Sequence, residues 1–106
     1  MKTLNNYGFV SGGYLFDRMD RIAQKAAIKK SFFRKRYAMT KNAHIEYQKQ
    51  CCDVRDLRFV VVTPADKSKR KWVGAVYAMS RTTKTTYATA TFEFAYVDKN
   101  YCETKD

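Results

Sequence analysis

Asn5-Asn6-Tyr7-Gly8-Phe9-Val10-Ser11-Gly12-Gly13-Tyr14-Leu15-Phe16-Asp17-Arg18-Met19-Asp20 is the stretch on which the reading of this chain turns. Gly8, Gly12 and Gly13, three of the chain's four glycines, crowd into its first thirteen residues. Such crowding marks an irregular, tightly turning segment rather than a regular element. Directly after it, Leu15, Met19, Ile22, Ala23 and Ala26 recur at three- and four-residue spacing and draw one apolar stripe. Arg18, Arg21, Lys25 and Lys29 lie off the stripe, free to be solvated. The spacing predicts a helix from Gly12 or Gly13 to the neighbourhood of Lys30, with Ser11 as the candidate cap. Its end runs into Lys29-Lys30 and Arg34-Lys35-Arg36, where cations suit the negative end of the helix dipole.

Outward from the helix the texture changes to strand at about residue 43. Ala43, Ile45 and Tyr47 alternate with polar neighbours, and Leu57 to Thr63 is mostly apolar and β-branched. Trp72 to Met79 reads similarly, and Tyr87 to Val97 alternates. Pro64 to Lys71 is a charged hairpin connection and Arg81 to Thr85 the next turn. One helix followed by about four strands gives an α+β domain. The short connections leave no room for crossover helices, so the sheet is expected to be antiparallel.

The chain has 106 residues, 45 % of them apolar, which suits one domain with a core and is too short for two. Twenty-one Lys and Arg against 10 Asp and Glu leave a net charge of +11, a field that attracts polyanions without choosing among them. No apolar run is long enough to span a bilayer, and Met1 to Asn5 does not read as a signal peptide. Cys51, Cys52 and Cys102 are odd in number, two of them adjacent, and His44 is the only histidine. That is a poor disulfide framework and a poor zinc set, so the expectation is a cytoplasmic protein without metal or cofactor.

The opening stretch resembles the start of the hotdog-fold acyl-CoA hydrolases (thioesterases): Asn-x-x-Gly, three residues, Gly-Gly, then Met-Asp two helical turns on. Asn5, Gly8, Gly12, Gly13, Met19 and Asp20 occupy every fixed position of that pattern. Ala90 to Asn100 is similar to the family's last strand, and Thr40 and Ile45-Glu46-Tyr47 fall near its central Thr and Phe-ended strand. The resemblance runs from Asn5 to about Asn100. It implies a single hotdog domain over residues 1–106, one long helix packed against an antiparallel sheet. The family has an extra strand before Asn-x-x-Gly, and only four residues precede Asn5 in this sequence, so the expectation is an edge strand that is either lost or replaced by a partner subunit.

Thioester hydrolysis needs a polarised carbonyl and an activated water. The resemblance implies that Asp20 is general base or nucleophile, that Asn5 orients water or thioester, and that Gly8, Gly12 and Gly13 border the oxyanion. The physics is consistent with those roles: a helix N-terminus has free N–H groups and a positive dipole end, and glycine lets a carbonyl approach the backbone. Asp20 lies seven residues beyond Gly13, nearly two turns, so both share a side yet stand roughly 10 Å apart along the axis. That gap is too wide for one carbonyl, and the family implies a site shared by two protomers of a homo-oligomer, a dimer or one built from dimers. Asp17 has Arg21 at i+4 and reads as surface decoration, whereas Asp20 has Gln24 there. Coenzyme A, carried as part of the acyl-CoA substrate, brings phosphates; Lys67, Lys69, Arg70 and Lys71, with Arg34 to Arg36, are the cationic candidates for them. His44 reads as structural, and neither Cys51 nor Cys52 has a base nearby in sequence.

Two other readings stay open. A net charge of +11 with 16 aromatic residues is a composition that nucleic-acid binding can use. A hotdog domain can also bind an acyl-CoA or a protein partner without turnover, because fold does not fix function.

Overall fold

The structure, a computed structural model, describes residues 3–5, 8–29, 36–63 and 70–98. Lys67, Lys69, Arg34, Lys35 and Cys102 lie outside the described residues, as does the side chain of Arg36. Helix α1 spans Gly12–Lys29 and is followed by strands β1 (Arg36–Tyr47), β2 (Leu57–Val62), β3 (Lys71–Ser80) and β4 (Thr86–Asp98), with a 3-10 turn at Val54–Asp56. The Ser11 hydroxyl accepts from the Tyr14 amide at 3.0 Å and so caps the helix. Ahead of it the chain closes on itself: the Asn5 amide donates to the Phe9 carbonyl at 2.8 Å, and Gly8 turns the corner at φ +80°.

The helix lies across one face of the sheet, and Leu15, Met19, Ala23 and Ala27 form its buried ridge. Ile22 and Ala26 of the expected stripe flank that ridge and are only partly buried. An i, i+4 ridge ending in two alanines lets the last turns approach the strands closely. Two tyrosine hydroxyls tie the helix down at its ends. Tyr47 donates to the Gly12 carbonyl at 2.8 Å and Tyr96 to the Ala27 carbonyl at 2.7 Å.

The strands are ordered β1-β4-β3-β2 and every neighbouring pair is antiparallel. Trp72, Val76, Ala78 and Ser80 of β3, with Ala88, Ala90, Phe92 and Phe94 of β4, are buried on the helix face. Phe94 stacks between Trp72 (5.5 Å) and Phe92 (5.7 Å), and Phe16 of the helix meets Phe92 at 6.0 Å. Gly74 makes room for the indole: a Cβ there would stand 2.6 Å from Trp72 Cζ2 and 2.8 Å from the Val62 carbonyl oxygen.

Strand β1 begins seven residues before the alternation at Ala43 announces it. The cause is a register shift between Thr40 and Asn42, where Lys41 is the extra residue. Ala38 and Thr40 pair with Tyr96 and Phe94, while beyond the bulge Ala43, Ile45 and Tyr47 pair with Phe92, Ala90 and Ala88. The inward positions therefore switch from even to odd numbers, and no single period-two pattern covers the strand.

Candidate functional site

The residues singled out in the sequence collect at two places along the free side of α1, one at its start and one two turns later. At the start, Gly12 and Gly13 are the first helical residues, so their N–H groups have no intrahelical acceptor. The capping hydroxyl of Ser11 is used by the Tyr14 amide. The Tyr47 ring packs over this turn: a Cβ on Gly12 would meet its Cζ at 3.1 Å and its hydroxyl oxygen at 3.2 Å. Bonded to the Gly12 carbonyl, the same hydroxyl holds the first peptide of the helix in place. Asn5, Val10, Gly12, Leu15, Tyr47 and Cys51 line a cleft of about 380 Å³ beside it. Asn5 is thus brought to the helix start, as is Gly8 through its turn. The Asn5 side-chain oxygen accepts from the Phe9 amide at 3.1 Å, a turn-closing role.

Two turns on, Asp20 faces β1. Thr40 donates to Asp20 Oδ1 at 3.3 Å and Gln24 to Oδ2 at 3.1 Å. Burial raises the Asp20 pKa; the Thr40 hydrogen bond works against that rise, and the nearby Asp17 charge adds to it. Asp20 is thus a carboxylate fixed at both oxygens and kept more basic than an exposed aspartate. Asp17 pairs with Arg21 at 3.2 Å on the surface, as the i+4 spacing predicts.

Thr40 reaches Asp20 only because the bulge at Lys41 turns it to the helix side, a contact that sequence spacing does not reveal. The hydroxyl of Tyr47 on Gly12 is equally invisible, although an aromatic residue at the strand end is legible. The two places remain apart: Gly12 and Asp20 are separated by eight helical residues, about 12 Å along the axis.

Arg70 and Lys71 sit where β3 begins, just before the row of Trp72, Phe94 and Thr40 and hence at the Asp20 end of the sheet. Lys71 is exposed and lies on the face away from the helix, since its neighbour Trp72 points inward. His44 is on that outer face as well, with its Nε2 3.3 Å from Glu46. Cys51 is buried, its thiol donating to the Asp53 carbonyl at 3.2 Å, and burial pushes its pKa up, which disfavours the thiolate. Cys52 is exposed. Among the described residues no helix is long and apolar enough to cross a membrane.

No family model matches the sequence, and no curated protein is similar to it. Solved structures are. A Streptococcus mutans protein bound to acetyl-CoA is 28 % identical, aligned over 92 % of this chain and 73 % of its own, with a TM-score of 0.77. A hypothetical thioesterase from Streptococcus pneumoniae, solved with coenzyme A, is 24 % identical over 91 % of this chain and 73 % of its own, with a TM-score of 0.75. Zebrafish thioesterase superfamily member 2 is 13 % identical over 88 % of this chain and 65 % of its own, with a TM-score of 0.76. A helix laid on a four-stranded antiparallel sheet, in the order β1-β4-β3-β2, together with the similarity to these structures, makes this chain a hotdog fold with solved neighbours that include named thioesterases.

Proposed function

We propose that this protein hydrolyses acyl-CoA thioesters, in sites each built from two copies of the chain. The observation that carries the reading is the arrangement along β1. Asp20, held by Thr40, stands near one end of this strand, and the Gly12–Gly13 turn, held by Tyr47, stands at the other. β1 bonds to β4 on one side only, and among the described residues no strand pairs with its other side. An open strand edge is a template for another strand. Antiparallel pairing of two β1 edges about a twofold axis places the Tyr47 end of one copy against the Thr40 end of the other. Each Gly12–Gly13 turn then faces Asp20 of the second copy, which closes the 12 Å gap within one chain.

In such a site the thioester oxygen lies toward the amides of Gly12 and Gly13, where N–H groups and helix dipole favour the negative charge that develops. Asp20 takes a proton from water as the water oxygen bonds to the carbonyl carbon. The carbon–sulfur bond then breaks, the proton passes to the sulfur, and free acid and CoA thiol leave. Asp20 attacking the carbonyl itself is the nucleophilic variant of the same step, with water releasing the acid from the anhydride. The raised pKa suits a base, and the Thr40 hydrogen bond works against the rise by favouring the ionised carboxylate. The similar S. mutans and S. pneumoniae proteins carry acetyl-CoA and coenzyme A. An S. pneumoniae thioesterase with the same fold has been solved as an Asp-to-Ala variant and as a Thr-to-Ala variant, the residue types paired here.

Binding without turnover is the second reading. It is favoured by the Asn5 side-chain oxygen, which accepts from the Phe9 amide and so closes a turn. Thiol release from a panel of short, long and aromatic acyl-CoAs separates the two. Turnover by the wild type that falls about 100-fold or more in both Asp20→Ala and Asp20→Asn supports hydrolysis with Asp20 as its base. CoA binding without thiol release across the panel leaves the second reading.

A further inference from the structure

The peptide that joins Gly12 to Gly13 carries two groups on one rigid plane. Its N–H, that of Gly13, is one of the amides offered to the thioester oxygen in the site proposed above. Its carbonyl oxygen, that of Gly12, accepts from the Tyr47 hydroxyl at 2.8 Å. We propose that Tyr47 is a positioning residue for hydrolysis, its hydroxyl orienting and polarising this peptide so that the Gly13 amide meets the charge that builds on the thioester oxygen. The inference rests on the hydrolysis reading and adds a residue to it.

The first turn needs such a fixture. Gly12 and Gly13 open the helix, and glycine gives up more backbone freedom on being ordered than any other residue. The amides of Tyr14 and Leu15 are tied to Ser11, one to its hydroxyl at 3.0 Å and the other to its carbonyl at 3.1 Å. Those of Gly12 and Gly13 have no acceptor among the described residues and cannot hold themselves in place.

The hydroxyl is delivered by a rigid element. Tyr47 ends β1 and pairs with Ala88 of β4. The two amides after it, those of Gln48 and Lys49, both donate to the Tyr87 carbonyl, at 2.8 and 3.2 Å, which pins the strand end. Gly12 in turn makes the approach possible. Its backbone is not left-handed, since among the glycines only Gly8 has a positive φ. A side chain at Gly12 would instead meet the Tyr47 ring at 3.1 Å and its hydroxyl at 3.2 Å. The space glycine leaves is therefore space for the tyrosine.

Two effects follow from donation to this carbonyl. In a trans peptide the C=O and N–H point opposite ways, so fixing the oxygen fixes the direction of the N–H. A bond to the oxygen also draws charge from the nitrogen, and linked hydrogen bonds strengthen one another by roughly 10–30 % each. Both matter most where the amide meets a negative charge, so they favour the transition state over the bound ester. Burial pushes the Tyr47 hydroxyl above the ordinary tyrosine range, which keeps it protonated and a donor at neutral pH.

Tyr47→Phe removes the hydroxyl and keeps the ring. With an acyl-CoA that the wild type hydrolyses, kcat for thiol release is expected to fall about tenfold and KM to stay within about twofold. That is less than the about 10²–10³-fold cost of losing an oxyanion donor outright, because Tyr47 acts through one. In ¹H–¹⁵N spectra the Gly13 amide is expected to shift and to exchange faster with solvent, while the amide of Ala23, at mid-helix, keeps its signal. Tyr77→Phe, which removes a hydroxyl on the far face of the sheet, is expected to change neither readout. A kcat for Tyr47→Phe within about twofold of wild type, or a rise in KM in place of the fall in kcat, overturns the inference and leaves hydrolysis standing. Amide shifts spread along the whole helix show a merely structural tyrosine and overturn it too. A wild type that releases no thiol overturns the hydrolysis reading and takes this inference with it.

Discussion

Gly74→Ala tests the packing that carries Phe94 and the row containing Thr40. The added methyl would lie 2.6 Å from Trp72 Cζ2 and 2.8 Å from the Val62 carbonyl oxygen, well inside the 3.5–4.0 Å of an unstrained carbon contact. The indole has little room to yield, being 2 % exposed and stacked on Phe94. The carbonyl belongs to the neighbouring strand, so relief there means moving backbone. Overpacking of this kind costs about 1–3 kcal/mol, and two hard contacts place Gly74→Ala near the upper end. For a chain of this length that lowers the melting temperature by roughly 10–20 °C. Trp72→Phe gives the second arm. It removes the clashing part of the ring and also a buried indole N–H with no acceptor among the described residues, whose burial costs about 1–3 kcal/mol and offsets the lost apolar area. In the double variant the methyl occupies space the indole has left, so the two changes should be less than additive by about 1 kcal/mol or more. Urea unfolding followed by far-UV circular dichroism, at fixed protein concentration, measures all four species. Gly74→Ala within half a kcal/mol of wild type, or strict additivity in the cycle, refutes the reasoning (roughly the error of such a cycle).

Two further outcomes concern titrating groups. Thr40→Val deletes the hydrogen bond that favours the Asp20 carboxylate, so the acidic limb of kcat/KM for thiol release should move to higher pH, with the fold retained; a pH profile that does not move shows that Thr40 leaves Asp20 untuned. Asp56 has a pKa lowered to about 2, chiefly by the Tyr87 and then the Ser80 hydroxyl. A carboxylate depressed in the folded state stabilises it above the unfolded pKa near 4 and loses that contribution as pH falls toward 2. Acid unfolding of Asp56→Asn should accordingly show a flatter stability–pH slope between about 4 and 2 than wild type, and equal slopes would remove Asp56 from the acid response.

Much of this protein is legible in one dimension because local periodicity reports which face of an element is apolar. The glycine-rich turn, the helix from Gly12 and the strands after Leu57 follow from it, and Gly13 and Asp20 are visibly too far apart for one carbonyl. Pairing is a different matter. A strand's period does not say which strand lies beside it, and a bulge reverses the period partway along. Only the tertiary structure inserts β4 between β1 and β3, extends β1 back to Arg36 through Lys41, and so brings Thr40 onto Asp20 and Tyr47 onto Gly12. Composition set the sign of the field around this molecule, whereas long-range register decided which side chains meet.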